Sequence, residues 1–198
     1  MKVGMIFECG PEGPDKRVCT SLARRIVNDI VIEPATLDNK KKLIEECGRA
    51  TSVLLASGCH HVLIIWDLYP AWRSKGQKPC CHEDRQSIFS SLSDAGVDVT
   101  KVTLICIHAE LEAWLIADGR ALSAVLSTPS HPKSIAHHKN SERIKNPKSE
   151  LVRIFTNNIG RQYSDLSHAQ RIVDAIPDLS RLRRISSFTR FEEKLKNM

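Results

Sequence analysis

The sequence lacks long hydrophobic runs and contains few aromatic residues. No apolar stretch approaches the roughly 20 residues that a membrane-spanning helix needs, so we expect no membrane-spanning segment. The N-terminal stretch MKVGMIFECG has one Lys and an apolar run too short for a secretory signal peptide, which favours a cytoplasmic protein. Because aromatic residues make up only 5% of the chain, the core must be mostly aliphatic.

The seven cysteines show no disulfide or zinc-site pattern. Their number is odd and their spacing irregular, so we expect reduced thiols in a protein without an export signal. The clusters CHH (59–61) and CCHED (80–84) contain residue types that bind zinc. Neither has the paired ligands, two to four residues apart, that are typical of structural zinc sites. The acids of CCHED are therefore interpreted as residues of the first turn of a helix.

Apolar runs alternate with helical patterns over residues 1–125. The candidate strands are KVGMIFE, IVIEPATL, HVLIIWD and VTLICIHAE, and a helical pattern follows each of them. This alternation is typical of a parallel sheet with helices on both faces. The central runs of Val, Ile and Leu suit strands that are buried on both sides. The sequence therefore predicts an α/β domain over residues 1–125 with an open, mostly parallel four-stranded sheet.

The pattern weakens in residues 126–198. A polar stretch interrupted by prolines, STPSHPKSIAHHKNSERIKNPKSE, predicts an exposed loop. Short helices are expected at SELVRIFTNN, SHAQRIVDAI and RFEEKLKNM. We predict a basic loop and a small helical C-terminal extension over residues 126–198, packed on the first domain.

Positive charge is concentrated in this C-terminal region. The chain carries 29 Lys and Arg against 23 Asp and Glu, a net charge of +6. Such a region suits a polyanionic partner such as nucleic acid. In the loop, Lys145 and Lys148 are candidates for phosphate contacts. The alternative is that they belong to a solvated loop.

The stretch RLRRISSFTRF is a second candidate for nucleic-acid binding. It places Arg183 and Arg184 close to Phe188 and Phe191. Basic residues interleaved with aromatic ones suit single-stranded nucleic acid, whose bases stack on aromatic rings. The alternative is that both phenylalanines anchor a terminal helix in the core.

Acidic residues follow three of the predicted strands. Glu8 follows the first, Asp67 ends the third, and the fourth runs into Glu110 and Glu112. Ligands of open parallel sheets bind at the carboxyl ends of the strands, where converging carboxylates would repel one another unless a cation lay between them. Mg²⁺ is bound by carboxylate oxygens and serves phosphoryl chemistry. The alternative is that these acids cap helices.

Several motifs resemble a known family. The stretches IIWDLYPAW, CCHEDRQSIFSSL, ICIHAELEAWLIAD, KNPK and SFTRF resemble the bacterial domain-of-unknown-function family DUF4276, which is regarded as Toprim-like. The Glu after the first strand and the acid after the third resemble the Toprim fold of topoisomerases, primases and OLD-type nucleases. The resemblance implies a Toprim-like fold and a metal-dependent nuclease or hydrolase, suspected in phage defence or mobile elements.

By this resemblance Glu8 takes the Toprim glutamate position and Asp67 the first position of an Asp-x-Asp pair. The second position holds Tyr69, which is a poor Mg²⁺ ligand at neutral pH. The expected catalytic and metal site, for Mg²⁺ or Mn²⁺, is then Glu8, Asp67 and Glu112 or Glu110. The predicted function is a metal-dependent nuclease or related phosphoryl-transfer enzyme acting on nucleic acid. The alternative is a non-catalytic Toprim-like module that binds nucleic acid or a partner ATPase.

Overall fold

Residues 1–71 and 78–198 are described by a computed structural model. The strands are β1 (Lys2–Phe7), β2 (Val31–Thr36), β3 (His61–Asp67) and β4 (Val102–Ile107). The helices are α1 (Pro14–Ile26), α2 (Lys40–Ala56), α3 (Cys81–Asp94), α4 (Glu112–Ala117), α5 (Gly119–Leu126), α6 (Pro147–Ile159), α7 (Asp165–Asp174) and α8 (Ser186–Lys196). Trp72, the second tryptophan of the WDLYPAW motif, lies outside the described residues. In these two ranges no helix combines the length and the hydrophobicity that crossing a membrane requires.

The chain divides into two compact units. The first unit comprises residues 1–107 together with 191–198, and the second comprises residues 108–190. The whole sheet and helices α1 to α3 belong to the first unit, while α4 to α7 belong to the second. This division differs from the boundary predicted between residues 125 and 126, because α4 and α5 group with the helices that follow them.

The sheet of the first unit is open and entirely parallel, with the strand order β2-β1-β3-β4. The chain moves from β1 outward to β2, then crosses to β3 on the other side of β1 and continues to β4. Because parallel connections are right-handed, this reversal places α1 on one face and α2 and α3 on the other. The predicted α/β class and four-stranded parallel sheet are confirmed.

β2 is an edge strand, and this position explains how it accommodates a proline. It pairs with β1 alone among the described strands, and Pro34 lies opposite Met5. Proline cannot donate a backbone hydrogen bond, so it is tolerated mainly at the edges of sheets. The strand prediction over IVIEPATL holds for this reason.

The face of the sheet that carries α2 and α3 has an aliphatic core. Buried residues of this core include Ile6, Leu43, Cys47, Ile64, Trp66, Ile88 and Leu92. Helices α2 and α3 approach closely at Gly48, where a Cβ atom would lie 2.0 Å from the carbonyl oxygen of Ser91. The Gly48 N–H also donates a hydrogen bond to Ser91 Oγ at 3.1 Å. A larger residue at position 48 would therefore separate the two helices.

Trp114 and the two phenylalanines of the RLRRISSFTRF stretch are buried. Trp114 has no exposed surface, donates from Nε1 to Ser187 Oγ at 2.9 Å, and meets Phe188 edge to face at a centroid distance of 5.3 Å. Phe188 and Phe191 are also fully buried. The interpretation of these two phenylalanines as a stacking surface for bases is therefore wrong, and the alternative that they anchor the core is confirmed.

The helical pattern that follows the fourth strand, LEAWLIADGRAL, forms two helices separated at Asp118. Helix α4 ends at Ala117 and α5 begins at Gly119. Asp118 is fully buried, accepts a hydrogen bond from the Arg120 N–H at 2.9 Å, and pairs with the Arg120 guanidinium at 2.7 Å. Asp118 thus caps α5.

A buried lysine joins three segments of the first unit. Lys40, the first residue of α2, donates to the carbonyl oxygens of Leu68 at 2.7 Å and Pro70 at 2.8 Å. Its Nζ also lies 3.7 Å from Oδ2 of Asp84, in the first turn of α3, and both side chains are at most 7% exposed. Asp84 in turn accepts a hydrogen bond from Trp66 Nε1 at 3.2 Å. The start of α2, the segment after β3 and the start of α3 are therefore held together by one ammonium group.

We predict that Lys40→Met destabilises the protein by about 3–5 kcal/mol, because it leaves the Asp84 carboxylate buried without this cation. The measurement is urea unfolding followed by circular dichroism. The matched control is Lys41→Met, since Lys41 pairs with Glu45 at an exposed position. The control should change the free energy of unfolding by less than about 1 kcal/mol. Equal unfolding midpoints for the two variants would contradict the role given to Lys40.

Candidate functional site

The carboxyl ends of β1 and β3 form the point where the strand order reverses. Ligands of open parallel sheets bind in the crevice outside the strands at such a point, because the connections leave in opposite directions. Glu8 follows the last residue of β1, and Asp67 is the last residue of β3. The two predicted acids therefore stand on adjacent strands at the position where a ligand is expected.

Glu8 and Asp67 are in contact. The Asp67 N–H donates to Glu8 Oε1 at 3.3 Å, a long and therefore weak hydrogen bond. Within residues 1–71 and 78–198, Glu8 Oε2 is buried and has no hydrogen-bond partner. The residue as a whole is only half-buried, whereas this carboxylate oxygen is shielded from solvent. Glu8 and Asp67 thus stand at the ends of two paired strands, as expected, and a cation shared by their carboxylates stays a prediction.

The surroundings of Glu8 favour its protonated form. Burial is the main cause that raises its pKa from 4.5 to about 8, and the charges of Asp15 and Asp84 raise it further. The Lys40 ammonium and the Asp67 N–H oppose this shift. A cation beside the carboxylate would reverse the balance, because a nearby positive charge favours the ionised form.

Asp15 is a further member of this acidic neighbourhood that the sequence did not reveal. It lies in the first turn of α1, where an acid is also favoured by the helix dipole. Burial raises the pKa of the Cys19 thiol, and the charges of Asp15 and Asp67 raise it further. Since Asp15 also raises the pKa of Glu8, these three acids act on one small region.

Glu110 and Glu112 do not lie at the end of a strand. β4 ends at Ile107, and the chain then turns through Ala109, whose φ is 68°. Glu110 Oε2 accepts a hydrogen bond from the Lys148 N–H at 3.1 Å, and Glu112 is buried at the start of α4. The expectation that the fourth strand runs into these acids is wrong. Both belong to the second compact unit, and their role as metal ligands stays a prediction.

The donors at the switch point suit a cation that is bound through few protein ligands. In the described part of the chain, no group of three or more His, Cys, Asp or Glu side chains is placed to hold a metal ion. Mg²⁺ usually keeps several waters and is bound by one or two carboxylates together with substrate phosphates. The buried Glu8 Oε2, which lacks a hydrogen-bond partner in residues 1–71 and 78–198, fits this type of site.

The four basic candidates differ in their contacts. Lys145, Lys148, Arg183 and Arg184 are all exposed. Lys148 forms an ion pair with Asp165 at 2.5 Å. Arg183 and Arg184 lie in a short 3₁₀ turn before α8. Lys145 is thus better suited than Lys148 to meet a phosphate.

We predict that Glu8 makes stability depend on pH. Between about pH 4.5 and pH 8 the folded state retains a proton that the unfolded state has released, so stability falls as pH rises through this window. In the presence of a chelator, Glu8→Gln should therefore stabilise the protein by about 1–3 kcal/mol more at about pH 9 than at about pH 5. Thermal and urea unfolding across this range measure the effect. The exposed Glu193→Gln is the control, and a parallel pH profile for both variants would contradict the shifted pKa.

Comparison with known proteins identifies the family of the chain. A family model described as Domain of unknown function (DUF4276) matches residues 16–196, a range that includes Asp67, Glu110 and Glu112 and begins after Glu8. Searches of the curated proteins and of the solved structures gave no match. Because the match extends over most of the sequence, and its range contains the motifs WDLYPAW and ELEAWLIAD, the chain belongs to the DUF4276 family.

Proposed function

We propose that this protein is a metal-dependent phosphodiesterase, with a Toprim-like fold, that acts on nucleic acid. The observation that carries the proposal is the contact of Glu8 with Asp67 at the switch point of a parallel sheet. A buried carboxylate oxygen of Glu8 that has no hydrogen-bond partner within the described ranges supports it.

Glu8 and Asp67 would hold Mg²⁺ or Mn²⁺ through their carboxylates. The metal supplies the polarisation of a phosphate group and the activation of water. Tyr69 at the second position of the Asp-x-Asp pair favours one bound ion over two. Lys40 fixes the backbone directly after Asp67 through its bond to the Leu68 carbonyl oxygen, so it keeps this ligand in place.

The substrate class is inferred from charge. The excess of Lys and Arg over Asp and Glu lies mainly in the C-terminal region, and Lys145 and Arg184 are exposed there. Exposed cations bind the phosphate backbone without regard to sequence. Defence against phage or a role in a mobile element would suit such a nuclease, as the family resemblance implies.

A second candidate is a non-catalytic module that binds nucleic acid or a partner ATPase. It is favoured by Tyr69 in place of an acid and by the raised pKa of Glu8. In this case Glu8 would remain protonated and serve only the packing of the strand ends. The two candidates differ in whether a divalent cation binds at Glu8 and Asp67.

We predict that Asp67→Asn and Glu8→Gln each abolish Mg²⁺-dependent cleavage of DNA or RNA, because each removes a charged ligand of the ion. In the presence of a chelator, affinity for nucleic acid should hold or rise in Asp67→Asn, since a negative charge near phosphate is lost. It should hold in Glu8→Gln, because Glu8 is already protonated without a cation. The measurements are a nuclease assay with Mg²⁺ and Mn²⁺, and fluorescence anisotropy with a labelled oligonucleotide. Asp94→Asn, at an exposed acid of α3, is the control. If both variants still cleave nucleic acid, the proposed site is excluded. If the wild-type protein does not cleave nucleic acid, the binding module is favoured.

We predict that Lys145→Ala lowers the salt dependence of nucleic-acid binding by about one unit in the slope of log affinity against log salt, because one phosphate contact is lost. Lys148→Ala should change the slope much less, since the Lys148 ammonium is paired with Asp165. Binding of a labelled duplex at several salt concentrations measures both. Slopes that fall equally in the two variants would show that the pair with Asp165 opens on binding.

A further inference from the structure

A small polar pocket lies within the second compact unit. Its volume is about 70 Å³, and its polar lining consists of Lys139, Asn140, Ser141, Glu142, Arg143 and Arg184. The pocket is far below the range of about 300–1,000 Å³ that is usual for sites of drug-sized ligands. Its occupant must therefore be a small ion or a single group of a larger molecule.

Three cations surround this pocket, and none of them is paired with an opposite charge among the residues that the structure describes. Lys139, Arg143 and Arg184 are exposed, and within the described ranges none of their side chains forms an ion pair or a hydrogen bond. Like charges around one small space repel one another, so the arrangement is stabilised when an anion enters. The basic side chains come from the segment 139–143 and from the turn before α8, so folding brings them together.

Among the described residues, Glu142 is the only acid that lines the pocket, and its carboxylate is already engaged. Oε2 accepts hydrogen bonds from the Ser186 N–H at 3.0 Å and the Ser186 hydroxyl at 2.6 Å, while Oε1 accepts from the Ser187 N–H at 2.9 Å. Burial raises the pKa of Glu142, but these hydrogen bonds outweigh burial and hold it below its ordinary value. The lining therefore carries three positive charges against one negative charge.

The hydroxyl group of Ser141 supplies an independent indication of a ligand. Ser141 is fully buried, it lines the pocket, and its Oγ has no hydrogen-bond partner among residues 1–71 and 78–198. A buried hydroxyl group without a partner costs free energy, so most such groups in proteins are satisfied by protein, water or ligand. An oxyanion in the pocket can accept a hydrogen bond from this hydroxyl.

We propose that this pocket binds a single phosphate group, with Lys139, Arg143 and Arg184 balancing its charge and Ser141 donating a hydrogen bond. The group is either a free phosphate or one phosphate of a nucleic-acid backbone. Its assignment to a nucleic acid rests on the proposed function, whereas phosphate binding itself does not.

The first test measures the melting temperature of the full chain as inorganic phosphate is added at constant ionic strength. Phosphate should raise the melting temperature of the wild-type protein. In Arg184→Gln and Ser141→Ala, the phosphate concentration that gives the same rise should be at least about tenfold higher, since each variant removes a hydrogen bond to a charged ligand. Arg161→Gln, at an exposed arginine of the same unit outside the pocket, is the matched control and should respond like the wild-type protein.

Ser141→Ala also separates binding from folding. Without phosphate this variant should melt at the same temperature as the wild-type protein or higher, because it removes a buried hydroxyl group that has no partner in the described residues. An absent response of the wild-type protein, or equal responses of all the variants, would overturn the phosphate site.

The second test identifies the source of the phosphate by binding a labelled oligonucleotide in the presence of a chelator, so that no cleavage takes place. If the group belongs to a nucleic acid, Arg184→Gln should weaken binding about tenfold more than Arg161→Gln, and inorganic phosphate should compete. A response to phosphate without any difference in oligonucleotide binding would overturn the nucleic-acid source. Whether the Glu8 and Asp67 variants lose cleavage, or the wild-type protein cleaves at all, tests the proposed catalysis. Neither outcome changes the comparison of oligonucleotide binding between Arg184→Gln and Arg161→Gln.

Discussion

The ammonium group of Lys40 is the interaction on which the geometry of the candidate site depends. It lies in the interior and is bonded to two backbone carbonyl oxygens and to the Asp84 carboxylate. A buried charge is tolerated only when it is paired and hydrogen-bonded, so the segments that supply these acceptors are fixed relative to one another. The carbonyl oxygens of Leu68 and Pro70 lie in the segment after Asp67, and the charge of Lys40 also opposes the rise in the pKa of Glu8. One side chain thus influences both the position of one acid and the ionisation of the other.

Much of the fold could be predicted because its determinants are local. Continuous aliphatic runs such as VLIIW require burial on both faces of a strand, and their alternation with helical patterns leads to a parallel sheet. The pairing of Glu8 with Asp67 followed from the same argument, since the carboxyl ends of neighbouring parallel strands meet at one edge. The break at Asp118 also has a local cause, because an acid directly before the first residue of a helix is a familiar cap.

The remaining features depend on contacts between residues that are distant in sequence. Lys40 belongs to a run of three lysines that suggests a solvated helix end, and only Asp84 and the carbonyl oxygens near β3 make its burial possible. The early end of β4 involves a left-handed turn at Ala109, a residue that does not favour this conformation. The buried hydroxyl group of Ser141 lies in a stretch whose composition predicts an exposed loop. Composition reports average exposure, so it does not reveal single polar groups that folding encloses.

Pro34 has a consequence for how copies of this protein meet one another. An edge strand normally offers a row of N–H and C=O groups on which a second chain can continue the sheet. β2 is such an edge strand, and Pro34, near its middle, lies opposite Met5 of β1. A proline in an edge strand puts its ring where an N–H would otherwise face solvent. Two molecules aligned along β2 would therefore gain fewer hydrogen bonds than two unbroken strands, which disfavours intermolecular sheets and the fibres that grow from them.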